Sequence, residues 1–392
     1  MTTRPNAPSP RILLEDSYAT YPHGNGYYGE GGRRVALGRA DASAEQGAGE
    51  IVGVRWDVEG DPEPEVLLPA DVLAEEAGTA FPVWTPEHST RSVPWFDIAL
   101  GAPVLICARG SAVLRVQLAG PGRTPSVVYR AADGWSLDGL TSVTADGRTA
   151  VISEGRRRDD GGSEHRALLL DLASGATREI VRHPWRANHF HFSPADESWI
   201  GYAHEGAATA IDDRLWAWHP QHAPEGRPVV DQRALAVERG TRGEQDAVAL
   251  GHERWMFHDT GAVVIVYGES PVGPRGVYEV FVDERAPRLV SAGDRDWHVG
   301  VSRDGRRIVV DTTGPADAPG RGWADAGTAS TIVLVDAATG SRRTLAETGF
   351  IAHPYHPHPS FTPDGSAVVF SHVERDAAGR ILRRGAAVVP VA

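Results

Sequence analysis

One short pattern recurs seven times along the 392-residue chain, and it constrains the fold more than any other feature. Each copy is a turn holding Gly, Asp or both, one or two connecting residues, and then an apolar run. The copies read GGRRVALG (31–38), LGAPVLICA (100–108), DGRTAVIS (146–153), DESWIGYA (196–203), TGAVVIVY (260–267), DGRRIVVD (304–311) and DGSAVVFS (364–371). Runs this short, rich in β-branched residues and bounded by turn formers, are strands rather than helices. Their spacing of about 44 to 69 residues is the scale of one four-stranded propeller blade. The Asp-Gly pieces supply the positive φ that a tight hairpin needs. Further runs such as ALLLDLASG (167–175) and TIVLVDAATG (331–340) end in a second turn, so each unit reads as four strands joined by three turns. The expected fold is therefore all-β: a seven-bladed β-propeller with four-stranded blades, spanning 1–392 as a single domain. An insertion is expected at about 40–95 between blades 1 and 2, with others in blades 4 and 6. Closing the ring calls for pairing 386–391 with a strand near the N-terminus, which removes an exposed edge. A β-sandwich is the competing arrangement; seven equivalent units favour the propeller.

Charge narrows the partners. The net charge is −13 with no basic block, which argues against binding nucleic acid through its phosphates. An acidic ligand would need a local cluster of positive charge. All 39 basic residues are Arg, so Schiff-base chemistry and a lysine base are excluded. The base candidates are the 16 His, the Tyr residues and the carboxylates. Cys107, the single cysteine, sits in the apolar run PVLICA and reads as a buried, inert thiol. No stretch approaches the roughly 18 apolar residues of a membrane span, and the first residues lack the apolar region of a secretory signal. A cytoplasmic protein is expected, without a membrane partner and with its oligomeric state open.

The histidines fall in phase with the repeat. The innermost strand of each blade lies just before the Asp-Gly turn. Blade 4 places His189 and His191 there, blade 5 His252, blade 6 His298, and blade 7 His353, His356 and His358. Residues i and i+2 of a strand share a face, so His356 and His358 are expected to point together, as are His189 and His191. His298 precedes Asp304 by six residues, as His358 precedes Asp364. Neutral imidazoles converging from adjacent strands suit a first-row metal. With no cysteine available, Mn, Fe, Co, Ni and Zn all fit by ligand type. The competing reading makes these histidines hydrogen-bonded packing residues.

The ordered set of motifs resembles the oligogalacturonate lyases, a polysaccharide lyase family (family 22) of seven-bladed propellers. The motifs are His189-Phe-His-Phe-Ser-Pro194, His204-Glu-Gly206, Asp213-Arg-Leu-Trp216, Gly251-His-Glu-Arg-Trp255, the His298 strand, and His356-Pro-His-Pro-Ser-Phe-Thr-Pro-Asp-Gly365. They cover roughly residues 185–375; the first half matches only in its repeat. The resemblance implies a channel Mn2+ site of three His and one Gln. The His ligands map onto His298, His356 and His358, and His353 stands where the family has Gln. A four-histidine set opens the site to Zn, Ni, Co or Fe as well as Mn. The resemblance further makes His252 the general base and Arg214 the channel arginine. His189 and His204 resemble substrate contacts, with His191 grouped beside them. Ala207-Ala208 replaces the family's Pro-Trp, and a longer stretch separates Arg214 from His252. Both departures bear on the particular substrate more than on the reaction class.

The reaction so implied is β-elimination on a uronate of an acidic oligosaccharide, such as a pectin fragment. The C5 proton leaves while the C4 glycosidic bond breaks. A metal and Arg214 would neutralise the carboxylate, and an imidazole with an ordinary pKa of ~6.5 suits the base. Tyr202, Tyr267 and Tyr355 are candidate acids, with packing as their competing role. Three rivals stand. A non-catalytic TolB-like binding propeller shares the repeat but has no need of in-phase histidines. A prolyl-oligopeptidase-like enzyme needs a Gly-x-Ser-x-Gly elbow, and Gly268-Glu-Ser-Pro-Val-Gly273 has the wrong spacing. The same lyase chemistry on a glucuronate-type substrate is the third.

Overall fold

The computed structural model describes residues 9–19, 25–40, 49–60, 62–75, 95–120, 123–236, 247–283, 285–351 and 355–391. Every one of the seven repeated runs forms the second strand of an antiparallel sheet: Arg34–Ala40, Val104–Arg109, Thr149–Arg157, Ile200–His204, Gly261–Val266, Arg307–Thr312 and Ala367–Arg375. The seven sheets are the blades of a propeller. These strands read as continuous apolar runs because a neighbouring blade covers each face; all of Val104–Arg109 and Gly261–Val266 is buried. Cys107 lies among them, and burial pushes its thiol up to about 12.

The hairpin preceding the second strand has one recurrent construction. In Thr144-Ala-Asp146-Gly147, Ser302-Arg-Asp304-Gly305 and Thr362-Pro-Asp364-Gly365, the hydroxyl donates to the Asp carboxylate at 2.6–2.7 Å. The same carboxylate accepts the backbone N–H two residues on, at 3.0–3.1 Å. Each Gly sits at φ 69–70°, where a side chain would be strained.

First strands of adjacent blades touch one another: Ser136–Val143 meets Trp95–Ile98 and Ala187–Phe192, and Asp296–Val301 meets Leu250–Trp255 and Ser360–Phe361. They therefore form the inner ring. In blade 1 this position is split between Ser17–Tyr18 and Tyr27–Tyr28, both paired with Arg34–Ala40. The stretch read as an insertion at 40–95 contains two blade strands, Gly49–Arg55 and Glu65–Leu68, which complete blade 1. Residues 41–48, 61 and 76–94 of that stretch lie outside the described residues. The ring closes in blade 7, where Ile381–Pro390 pairs with Arg11–Glu15 in the register Arg11↔Val388. Packing between blades is close: fully buried Trp255 of blade 5 lies on Gly201 of blade 4, where no Cβ could fit. Among the described residues no helix is long and apolar enough to cross a membrane.

Candidate functional site

Counting back three residues from the apolar side chain that ends each inner strand (Phe192, Trp255, Val301, Phe361) gives His189, His252, His298 and His358. Four blades thus place histidine at one register position. Three of the four are left-handed, with φ of 60° at His189, 48° at His252 and 45° at His358. Strand pairing slips at the same place, between Asn188 and His191, Gly251 and Arg254, and Asp296 and Val299. A left-handed non-glycine residue costs on the order of 1 kcal/mol, and a bulge re-aims the side chain it carries. Bulging, not simple alternation, therefore orients these rings. His189 and His191 do not act as an i, i+2 pair: His191 is buried and lies opposite Gly201 of the second strand. His356 and His358 do come together, but from the segment leading into the two-residue strand Ser360–Phe361.

His298, His356 and His358 are buried, and one potential ligand atom from each lies within 4.8 Å of the others. Their ring centroids are 4.1 Å apart for His298 and His358, 5.5 Å for His298 and His356, and 5.6 Å for His356 and His358. With metal–imidazole bonds of about 2.0–2.1 Å, small side-chain rotations let one ion reach all three. Three neutral nitrogen donors suit any of the divalent first-row ions expected. His353 lies outside the described residues.

Fully buried Asp311 organises this trio. Its Oδ1 accepts the backbone N–H of His298 at 2.7 Å; its Oδ2 meets His298 Nδ1 at 2.7 Å and accepts the His358 N–H at 3.1 Å. Burial pushes the Asp311 carboxyl up to about 8 against the pull of the two amides. In its ionised form Asp311 accepts from Nδ1–H and so directs the lone pair of His298 to Nε2, the nitrogen that would face an ion. Asp311→Asn turns one of the two accepting oxygens into a donor and removes the charge, and is expected to weaken metal affinity about 10–100-fold. Competition with a chromophoric chelator measures this, and an unchanged affinity would disconnect Asp311 from the trio.

His252 neighbours the trio, its ring centroid 4.2 Å from that of His298. Nδ1 is 2.6 Å from the Trp297 carbonyl and donates to it, so the lone pair is on Nε2. Burial drives the His252 imidazolium down to about 3; the Trp297 carbonyl and Glu253 oppose the fall and Arg214 adds to it. The ring is thus neutral, and burial places its conjugate acid below the ~6.5 expected of an ordinary imidazole. Of the three tyrosines, Tyr267 packs edge-on against His252 at 5.2 Å. Tyr202 meets His183 at 3.1 Å, and Tyr355 donates to the Asp16 carbonyl at 3.3 Å.

Arg214 is buried and donates to Glu205 at 2.5 Å. Gln232 fixes its backbone by accepting the Arg214 N–H at 2.6 Å while donating to the Val248 carbonyl at 2.7 Å. His189 stands between two carboxylates, with Nε2 3.1 Å from Glu205 and Nδ1 3.1 Å from Glu253. Burial alone would raise the Glu205 carboxyl, but Arg214, His189 and Arg186 outweigh it and hold it low. His204 sits further out: Nδ1 is 2.7 Å from Asp213, and the ring stacks on Trp185 at 4.2 Å. Arg156 and Arg158 pair with Glu164 and Asp160 at the end of their hairpin, away from this group.

Sequence reasoning missed Asp311 and the Glu205–His189–Glu253 linkage. A signal for Asp311 existed. The seven repeat copies end in Gly38, Ala108, Ser153, Ala203, Tyr267, Asp311 and Ser371, and only one of these is charged. A lone carboxylate at the end of an otherwise buried strand needs a partner.

Fold and site together define a seven-bladed propeller whose inner ring carries a three-histidine cluster and a neutral histidine beside it. No protein-family model matches the chain. It is similar to the oligogalacturonate lyases in sequence and in fold. An oligogalacturonide lyase of Pectobacterium atrosepticum is 22% identical over 216 residues, 53% of this chain and 52% of that one, so the match spans about half the length of that curated relative. The structure of an oligogalacturonate lyase in complex with manganese superposes with a TM-score of 0.69 at 18% identity, covering 96% of this chain and 90% of that chain. An oligogalacturonate lyase from Vibrio parahaemolyticus gives a TM-score of 0.69 at 15% identity, covering 97% and 93%. An acylaminoacyl peptidase shares the fold alone, with a TM-score of 0.52 at 11% identity over 51% of its chain.

Proposed function

We propose that the protein is a metal-dependent lyase that cleaves uronate-containing oligosaccharides by β-elimination. The observation that carries the reading is the placement of a neutral, Nδ1-anchored His252 against the buried trio His298, His356 and His358. A divalent ion on those imidazoles would supply a Lewis acid for the uronate carboxylate, lowering the cost of charge that develops when C5 loses its proton. Manganese is the first choice, given the relative solved as a manganese complex. His252 Nε2 takes the C5 proton. The C5 electron pair becomes the C4–C5 double bond, the C4–O bond breaks, and the leaving oxygen takes up a proton. The Trp297 carbonyl keeps the imidazole in the tautomer that can accept. Arg214 lends positive charge to the acidic substrate, and its pairing with Glu205 holds the guanidinium in place. Burial makes each of these charges count for more than it would in water.

The test is metal content and activity together, on untagged protein purified without chelator. About one equivalent of bound metal is expected, with conversion of oligogalacturonate to an ultraviolet-absorbing unsaturated product that chelation abolishes. Oligoglucuronate is the parallel substrate, because Ala207 and the short turn Ala208–Ala210 stand where the resembled family carries Pro-Trp. A protein that takes up no metal and cleaves neither oligomer would overturn the proposal.

A further inference from the structure

Trp323 is one of the few large apolar side chains left exposed, at 37%. It sits on the loop joining Arg307–Thr312 to Ala329–Asp336 in blade 6, within a single 3-10 turn, Trp323–Asp325. Three rings touch it: Trp297 at 4.8 Å and Phe350 at 5.2 Å, both edge-on, and His356 at 5.8 Å, tilted. None of these rings lies parallel to the indole, so among the described residues no aromatic ring is stacked on its face. Two of the three belong to the site: Trp297 supplies the carbonyl that anchors His252, and His356 is one of the trio.

The loop is built to hold this indole still. Arg295, 6% exposed, donates to the carbonyls of Ala318 at 3.2 Å, Asp325 at 3.3 Å and also Pro319. The Asp325 carboxylate accepts the Arg321 N–H at 2.8 Å, and Glu269 of blade 5 accepts the Trp323 N–H. Gly320 and Gly322 lead into the turn at φ 100° and 61°, where Arg295 and Glu269 crowd the place of a side chain. A buried arginine committed to four loop carbonyls, that of Thr313 included, fixes an exposed tryptophan beside the reacting groups. A single exposed apolar ring is ordinary on a protein surface; what sets this one apart is the buried arginine beneath its loop and its contact with Trp297 and His356.

We infer that Trp323 is a sugar-stacking platform. It takes the pyranose ring next to the uronate whose carboxylate lies at the trio, through C–H contacts with the indole face and without regard to charge. This rests on the lyase reading. A rigid platform lowers the entropic cost of ordering a flexible oligosaccharide, so its effect falls on binding.

Trp323→Ala, Trp323→Leu and Trp323→Phe test the inference with manganese-loaded protein and trigalacturonate. In Trp323→Ala, KM is expected to rise about tenfold or more, with a much smaller fall in kcat and wild-type metal content. Trp323→Phe should recover most of the loss and Trp323→Leu little of it. An unchanged KM overturns the platform. So does equal rescue by Leu and Phe, which would mean that bulk alone matters, or loss of metal in Trp323→Ala, which would make the indole a buttress for His356. Calorimetry with trigalacturonate separates the two levels. Wild-type protein that binds but does not cleave overturns the lyase reading and leaves the platform to be judged on the affinity of Trp323→Ala. Wild-type protein that neither binds nor cleaves overturns both.

Discussion

His252→Asn is expected to slow elimination about 10²–10⁴-fold while metal content stays at the wild-type level. The two halves of this result come from different parts of the geometry. Removing the imidazole removes the acceptor of the C5 proton, and a positioned base is worth about that factor. The metal is expected to stay because His252 is not one of the three clustered imidazoles; its Nδ1 is given to the Trp297 carbonyl. Asn is the better replacement on backbone grounds. Position 252 has φ 48°, and Asn tolerates the left-handed region better than Ala does. Single-turnover rates with mass-spectrometric metal analysis of the same sample decide the matter. Turnover within about tenfold of wild type would remove His252 from the role of base.

His358→Ala is expected to abolish metal binding at micromolar concentration and elimination with it. His358 shares the trio with His298 and His356, and its backbone N–H is held by the carboxylate that orients His298. Losing one of the three described donors leaves two described imidazoles, His298 and His356, on different blades. The loss should also show in stability. A ligand bound only by the folded state contributes RT ln(1 + [L]/Kd), about 2.7 kcal/mol at a hundred times Kd. Wild-type protein is therefore expected to melt higher when metal is added, and His358→Ala is not. A mutant that keeps a full equivalent of metal, or one whose Tm rises with metal as the wild type's does, would show that the trio is a packing cluster.

Burial and hydrogen bonding explain which parts of this molecule could be read from its residues. The second strand of each blade is covered on both faces, so it needs a continuous apolar run, and such runs stand out in any sequence. The Asp-Gly turns are legible because φ near 70° admits few residues. The outer strands of blade 1, Gly49–Arg55 and Glu65–Leu68, were read as insertion because Gly, Glu and Pro surround them and no repeat copy marks them. At the site, counting from the turn put His298 and His358 in phase, since register is a local property. What aims the rings is not local. A left-handed φ at His189, His252 and His358 is sustained by contacts from neighbouring blades. The same holds for Asp311 reaching His358, and for Glu205 and Glu253 clasping His189 from two blades. The sequence pattern of one blade carries no record of which carboxylate the next blade offers. Arg214 illustrates the limit: its position was legible, but its commitment to Glu205 was not.

Arg11–Glu15, which completes blade 7, has a bearing on how such a ring comes to exist at all. Its neighbour Ser17 accepts the backbone N–H of a residue 369 positions later. At a synthesis rate of about 5–20 residues per second, the strand waits roughly 20 to 70 s for its partner to leave the ribosome. Throughout that interval RILLE is an unpaired edge, and the charges at its two ends, Arg11 and Glu15, blunt its tendency to pair with the wrong strand. Blades 1 to 6 can assemble in order as they emerge. The seventh, which carries two of the three clustered histidines, joins Arg11–Glu15 to Ile381–Pro390, so among the seven blades this histidine-bearing one is the last that can be completed.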